Sequence, residues 1–141
     1  NNKMSKSDVS KYSRILLTDS NDEISTKISK AKSDSLKMPT SSDELSDRPE
    51  INNLITIYSS ISNIDKENVI NLFSDKEISF FKSELKDIVI TLVEPIARNI
   101  NEIKSDISYL KTTLNDGAMQ ATERARKTID EVNRLMGFSI D

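Results

Sequence analysis

Glycine occurs only twice in these 141 residues and proline three times, against average usage of roughly 7% and 5%. Tight hairpins, bulges and the phosphate-binding turns of doubly wound sheets draw on glycine for positive φ. A chain this poor in glycine is directed toward helices joined by polar links. The chain has no His and no Cys. That excludes Ser-His-Asp and Cys-His nucleophiles, Cys/His zinc sites, disulfides and imidazole acid–base catalysis. Any chemistry left must use Lys, Arg, carboxylates, hydroxyls or backbone groups. Apolar residues make up 35% and the formal charge is −3, so the core should be modest and rich in isoleucine. Bulk charge does not advertise a nucleic-acid binder. The aliphatic run at 88–93 is far too short to span a bilayer, so no membrane association is expected. The chain opens with Asn1-Asn2-Lys3 and reads as a piece of a longer protein.

Apolar spacing sets out the helices. Residues 1–20 are polar, with a short strand expected at Ile15-Leu16-Leu17. Ser20 or its neighbours cap a helix over 22–33, with Ile24, Ile28 and Ala31 on one face. Residues 34–47 form a polar loop long enough to be either functional or mobile. Pro49 at a first helical position opens a helix over 49–62, with Ile51, Leu54, Ile55, Tyr58 and Ile61 inward. Asp65 caps a short helix carrying Val69, Ile70, Leu72 and Phe73. A long helix over 77–101 follows, with Ile78, Phe81, Leu85, Ile88, Val89, Leu92, Ile96, Ile100 and Ile103 in its stripe. A kink or break is expected near Pro95. Asp106 caps a short helix with Ile107, Leu110 and Leu114. The last helix covers 116–136, with Ala118, Ala121, Ala125, Ile129 and Val132 packed inward, and Gly137 closes it. The fold class is all-α, a helical bundle behind a polar N-terminal segment.

One segment carries chemistry. Lys3-Met4-Ser5-Lys6-Ser7 sets two lysines three residues apart, with hydroxyls and flexible backbone between them. Compact ammonium charges can neutralise a leaving pyrophosphate, and serine hydroxyls and successive N–H groups can hold phosphate oxygens. Two basic stretches, Lys27-Lys30-Lys32-Lys37 and Arg124-Arg126-Lys127-Arg134, offer local positive charge, with acidic neighbours beside both.

The five-residue segment is the second signature of class I aminoacyl-tRNA synthetases, and an ordered series of further blocks follows it. These are Ser13-Arg14-Ile15, then Lys30-Ala31-Lys32-Ser33-Asp34-Ser35, then Arg48-Pro49-Glu50-Ile51-Asn52-Asn53-Leu54. Phe81-Lys82, Leu85-Lys86, Glu94-Pro95-Ile96, Gly117-Ala118 and Met136-Gly137-Phe138 complete it. Over nearly its whole length the chain resembles the C-terminal portion of bacterial tryptophanyl-tRNA synthetases. Tyrosyl enzymes share the lysine loop, but the Arg48 block and the Met136-Gly137-Phe138 ending favour the tryptophanyl family. The family's first, histidine-bearing signature cannot occur in a chain without His.

The resemblance implies a parent with an α/β Rossmann-like catalytic domain joined to this helical domain. Residues 1–20 would be the lysine loop and the end of the nucleotide-binding domain. Residues 21–141 would be the helical anticodon-binding region with its C-terminal helix. The parent would be a cytoplasmic homodimer using ATP, Mg²⁺ and L-tryptophan to charge its cognate tRNA. Lys6 and Lys3 would be catalytic, and Lys3, Met4, Ser5, Lys6 and Ser7 would bind ATP. No metal ligand and no anticodon-reading residue is assigned. The chain alone would bind no cofactor and catalyse nothing. The alternatives are a non-catalytic helical RNA-binding module, a tyrosyl relative, and a purely structural bundle. Cutting such a chain from its parent would leave apolar faces exposed around Ile15 to Leu17 and on the last helix.

Overall fold

A computed structural model describes residues 9–138. Five α-helices account for most of it: α1 (Asn21–Lys30), α2 (Pro49–Ser62), α3 (Lys66–Phe73), α4 (Ile78–Ser105) and α5 (Ile107–Met136). Short 3₁₀ turns occupy Lys11–Ser13 and Ser42–Asp47. Among the described residues there is no strand, so the all-α expectation holds, and no helix is long and apolar enough to cross a membrane. Two compact units divide between Asn99 and Ile100.

The first unit holds the core. Ser20 opens α1 with a capping box: its hydroxyl accepts from the Glu23 N–H, and the Glu23 carboxylate accepts from the Ser20 N–H at 2.9 Å. Such reciprocal caps satisfy two otherwise orphaned donors. Ile24 and Ile28 then point inward. Pro49 starts α2, which ends in left-handed Asn63. Asp65 caps α3 by accepting from the Asn68 N–H at 2.9 Å. Tyr58 of α2, Phe73 of α3 and Phe81 of α4 form an aromatic centre. Phe73 meets Tyr58 edge-on at 5.1 Å and Phe81 at 4.9 Å between ring centroids, a geometry favoured by ring quadrupoles.

Several expectations need correction. Ile15-Leu16-Leu17 form no strand: the backbone turns there, the Leu16 N–H donates to the Asp19 carboxylate at 2.7 Å, and all three side chains are more than a third exposed. Helix α1 ends at Lys30 rather than Ser33, because Ala31 leaves helical geometry. The 34–47 stretch, expected as a polar loop, carries a 3₁₀ turn over Ser42–Asp47 and contributes to the core. Met38, Pro39 and Leu45 are buried, the Met38 N–H donates to the Lys76 carbonyl at 2.9 Å, and Thr40 is tied to Glu44 through both its N–H and its hydroxyl.

Helix α4 runs through Pro95 without ending. Its buried residues are Ile78, Phe81, Leu85, Val89 and Val93, the last four spaced by four, whereas Leu92, Ile96 and Ile103 are exposed. Leu72 of α3 is also half exposed. The expected boundary around residues 115–116 does not exist, since α5 is one 30-residue helix. It is capped by Asp106, which accepts from the Tyr109 N–H at 2.8 Å, and closed by Gly137 at φ 73. None of its residues is buried, so Ala118, Ala121, Ala125, Ile129 and Val132 are not core residues. The exposed apolar faces expected at Ile15 to Leu17 and on the last helix are present.

Candidate functional site

The lysine segment Lys3, Met4, Ser5, Lys6 and Ser7 lies outside the described residues. The structure does describe the chain that leaves it. The Ser10 hydroxyl accepts from the Tyr12 N–H at 3.3 Å and opens the first 3₁₀ turn. That turn sets the Tyr12 phenol against α1, where it accepts from Lys30 Nζ at 3.0 Å. The same ammonium stands 4.6 Å from the ring centroid. The hydrogen bond and charge of Lys30 hold the Tyr12 phenol below the usual tyrosine range. A second tie follows at Asp19, which is 6% exposed and pairs with Lys27. The stretch from Ser10 to Ser20 is therefore fastened to α1 at two points.

Two blocks far apart in sequence meet beyond α1. Arg48 is 8% exposed and grips Asp34 with two bonds, Nε to Oδ2 at 2.7 Å and Nη2 to Oδ1 at 2.9 Å. Nη2 also donates to the Lys37 carbonyl at 2.8 Å, and Glu44 stands 3.9 Å from Nη1. A planar guanidinium suits this bidentate contact in a way lysine cannot. The Arg48 bonds hold the Asp34 carboxyl below the usual aspartate range, aided by the Leu36 N–H. Nearby, Lys82 of α4 reaches the open end of α1. Its Nζ donates to the Ala31 carbonyl at 2.7 Å, the Ser33 hydroxyl at 3.0 Å and the Ser29 carbonyl at 3.4 Å. Cations favour the carbonyl end of a helix, and burial lowers the pKa of this ammonium. Both blocks were visible in sequence, but nothing local paired Asp34 with Arg48 or Lys82 with Ala31.

The first basic stretch does not form an open positive face. Lys27 pairs with Asp19, Lys30 with Tyr12, Lys32 with Glu50 at 2.6 Å and Lys37 with Asp75 at 3.3 Å. On α5, Lys127 meets Glu123 at 2.7 Å, while Arg124, Arg126 and Arg134 make no ion pair among the described residues.

Residues 1–94 match the family model for tRNA synthetases class I (W and Y). The chain is 44% identical over 138 residues to tryptophan–tRNA ligases of Rickettsia felis and Rickettsia typhi, covering 98% of this chain and 41% of each relative. It is 40% identical over 136 residues to that of Rhizobium meliloti, covering 96% of this chain and 38% of the relative. The chain thus spans about two fifths of the length of these curated relatives. The ordered blocks from the lysine loop to Pro95, the helical fold and the family match agree, and the chain belongs to the class I tRNA synthetases of the tryptophan and tyrosine group.

Proposed function

We propose that this chain is the lysine-loop and helical portion of a tryptophan–tRNA ligase. The parent would activate L-tryptophan with ATP, Mg²⁺ serving as the nucleotide's counter-ion, and esterify its cognate tRNA. The observation that carries this reading is 44% identity along 98% of the chain to relatives named for tryptophan. On this reading residues 1–20 close the nucleotide-binding part, and residues 21–141 serve tRNA recognition. The parent is a homodimer through its catalytic part and works in the cytoplasm.

The chemistry assigned to the loop is electrostatic. The substrate carboxylate attacks the α-phosphorus, pyrophosphate leaves, and negative charge grows on the departing oxygens. Lys6, with Lys3 assisting, neutralises that charge, while Met4, Ser5 and Ser7 shape the loop around the phosphates. Charges fixed where charge develops are worth most when their positions are set beforehand. The segment that follows the loop, residues 10–20, is tied to α1 at Tyr12 and Asp19, which is compatible with this reading.

The test is ATP–pyrophosphate exchange on the intact parent. Exchange should depend on L-tryptophan and not on L-tyrosine. Lys6→Ala should lower the exchange rate by about 10²–10³ while leaving tryptophan affinity nearly unchanged, the range seen when one transition-state donor is removed. An unchanged rate in that variant refutes the role given to Lys6. Exchange driven by tyrosine refutes the substrate. The 141-residue chain alone should give no exchange.

A further inference from the structure

A cleft of about 420 Å³ opens where the end of α1 faces the start of α4. Its distinguishing feature is hydroxyl groups. Ser29 and Ser35 line it from the α1 side, and Ser79, Ser83, Lys82 and Lys86 from α4. The hydroxyls of those four serines make no hydrogen bond within the protein among the described residues. Of the charges lining the cleft, Asp34 is bound by Arg48, which leaves Lys82 and Lys86 facing Glu77. Lys86 also meets its exposed neighbour Asp87 at 3.2 Å, a surface contact of the kind that contributes little. Lys82 spends its donors on the α1 terminus and brings only charge, so the donors left are the four serines and Lys86, which is held only by that surface pair.

This composition selects a ligand class. Pockets for small metabolites are mainly apolar with a few polar groups, whereas here only Leu36 and Ile78 are apolar lining residues. Rows of small hydroxyls beside ammonium groups suit the repeating sugar and phosphate oxygens of a nucleic-acid backbone. RNA adds the 2′-hydroxyl, which both donates and accepts. We propose that the serine-lined cleft between the end of α1 and the start of α4 binds the sugar–phosphate backbone of RNA, with Lys86, Ser79 and Ser83 as its principal contacts. This rests on the tRNA-binding role proposed above and gives that role a location. It differs from the lysine stretch of residues 27–37, where Lys27 and Lys30 are engaged by Asp19 and Tyr12 and none of the four lysines lines the cleft.

The test measures binding of the cognate tRNA transcript to the 141-residue chain at several salt concentrations, with helicity checked by circular dichroism. Ser83→Glu and Lys86→Glu should each weaken binding by about tenfold, and Lys86→Glu should flatten the salt slope by about one. The milder Ser79→Ala/Ser83→Ala double variant should weaken binding a few-fold. Lys37→Glu, outside the cleft, should leave affinity within about twofold. Amide shifts on adding tRNA should centre on residues 79–86, and inorganic phosphate at equal phosphate concentration should not reproduce them. Unchanged affinity in both charge variants overturns the cleft, as does failure of the wild-type chain to bind RNA. Shifts reproduced in full by inorganic phosphate overturn the backbone assignment. Wild-type binding that both charge variants leave unchanged refutes the cleft alone, whereas a wild-type chain that binds no RNA refutes the tRNA-recognition role and the cleft with it, so the two failures are told apart.

Discussion

The first unit and α5 are built from similarly patterned helices, yet only one of them has a core. Every buried hydrophobic side chain among the described residues precedes Asn99, the last being Val93. Helix α5 is 30 residues long and buries none. Its apolar stripe is nevertheless the more regular of the two. Ile107, Leu110 and Leu114 are followed eleven residues later by Ala118, Ala121 and Ala125, and eleven later again by Ile129, Val132 and Met136. An eleven-residue period corresponds to about 3.67 residues per turn, so the stripe barely drifts around a straight helix. Periodicity therefore fixes which face of a helix is apolar, and burial needs something to lie against it. Helix α5 persists through local terms instead: the Asp106 cap, the Gly137 terminus and the Glu123–Lys127 pair.

The largest expected effect tests that contrast directly. Phe81 is fully buried at the meeting of α2, α3 and α4, touching Tyr58 and Phe73. Phe81→Ala should cost about 3–5 kcal/mol of unfolding free energy in urea melts. Ile129 is 57% exposed, and Ile129→Ala should stay within about 0.5 kcal/mol. Comparable losses from both would show that α5 contributes to the same core.

The next effect concerns the polar lock of the first unit. Asp34→Ala leaves the buried Arg48 guanidinium with only the Lys37 carbonyl and the more distant Glu44 and should cost about 2 kcal/mol, whereas Arg48→Met, which frees a partly hydrated carboxylate, should cost less. The sign with pH follows from the depressed pKa of Asp34. Its contribution is fully present above the ordinary aspartate pKa and is lost as pH falls through the lower folded value. The lowered carboxyls of Glu23 and Glu44, each held by a neighbouring N–H and hydroxyl, act in the same direction. Urea midpoints between pH 7 and pH 3 should fall in the wild type and fall less in Asp34→Ala. Parallel curves would mean that the Asp34–Arg48 pair adds nothing to acid sensitivity.

These two tests also mark what could be read in the sequence. Pro49, Asp65, Asp106 and Gly137 are local signals, and each stands where it was expected because caps involve neighbours only a few residues away. Three apolar residues such as Ile15-Leu16-Leu17 have no decisive period, so their sequence does not separate a strand from a turn. In the structure Asp19 turns that segment back toward α1. The lysines of residues 27–37 looked like a charged surface in one dimension, but their partners Glu50 and Asp75 come from other parts of the chain. The Arg48 grip and the Lys82 cap span 14 and up to 53 residues, and only the packed helices bring those groups together. The serine cleft was invisible for the same reason, since Ser29 and Ser79 become neighbours only when α1 packs beside α4.

The smallest effect returns to α5. Gly117 lies inside α5 although glycine disfavours helix interiors; one glycine costs only about 1 kcal/mol relative to alanine, and a long helix absorbs that. A side chain at Gly117 would meet nothing within 4 Å, and its φ lies in the ordinary range. Gly117→Ala should therefore strengthen α5 by about 0.5–1 kcal/mol, read as slower amide exchange across residues 113–121. The urea midpoint of the first unit should not move. Gly137→Ala should do the reverse, because φ 73 strains any residue with a Cβ, fraying the last turn of α5 alone. If Gly117→Ala instead shifted exchange in the Tyr58–Phe73–Phe81 centre, the two regions would share stability, and α5 could no longer be described as a helix held by its own ends.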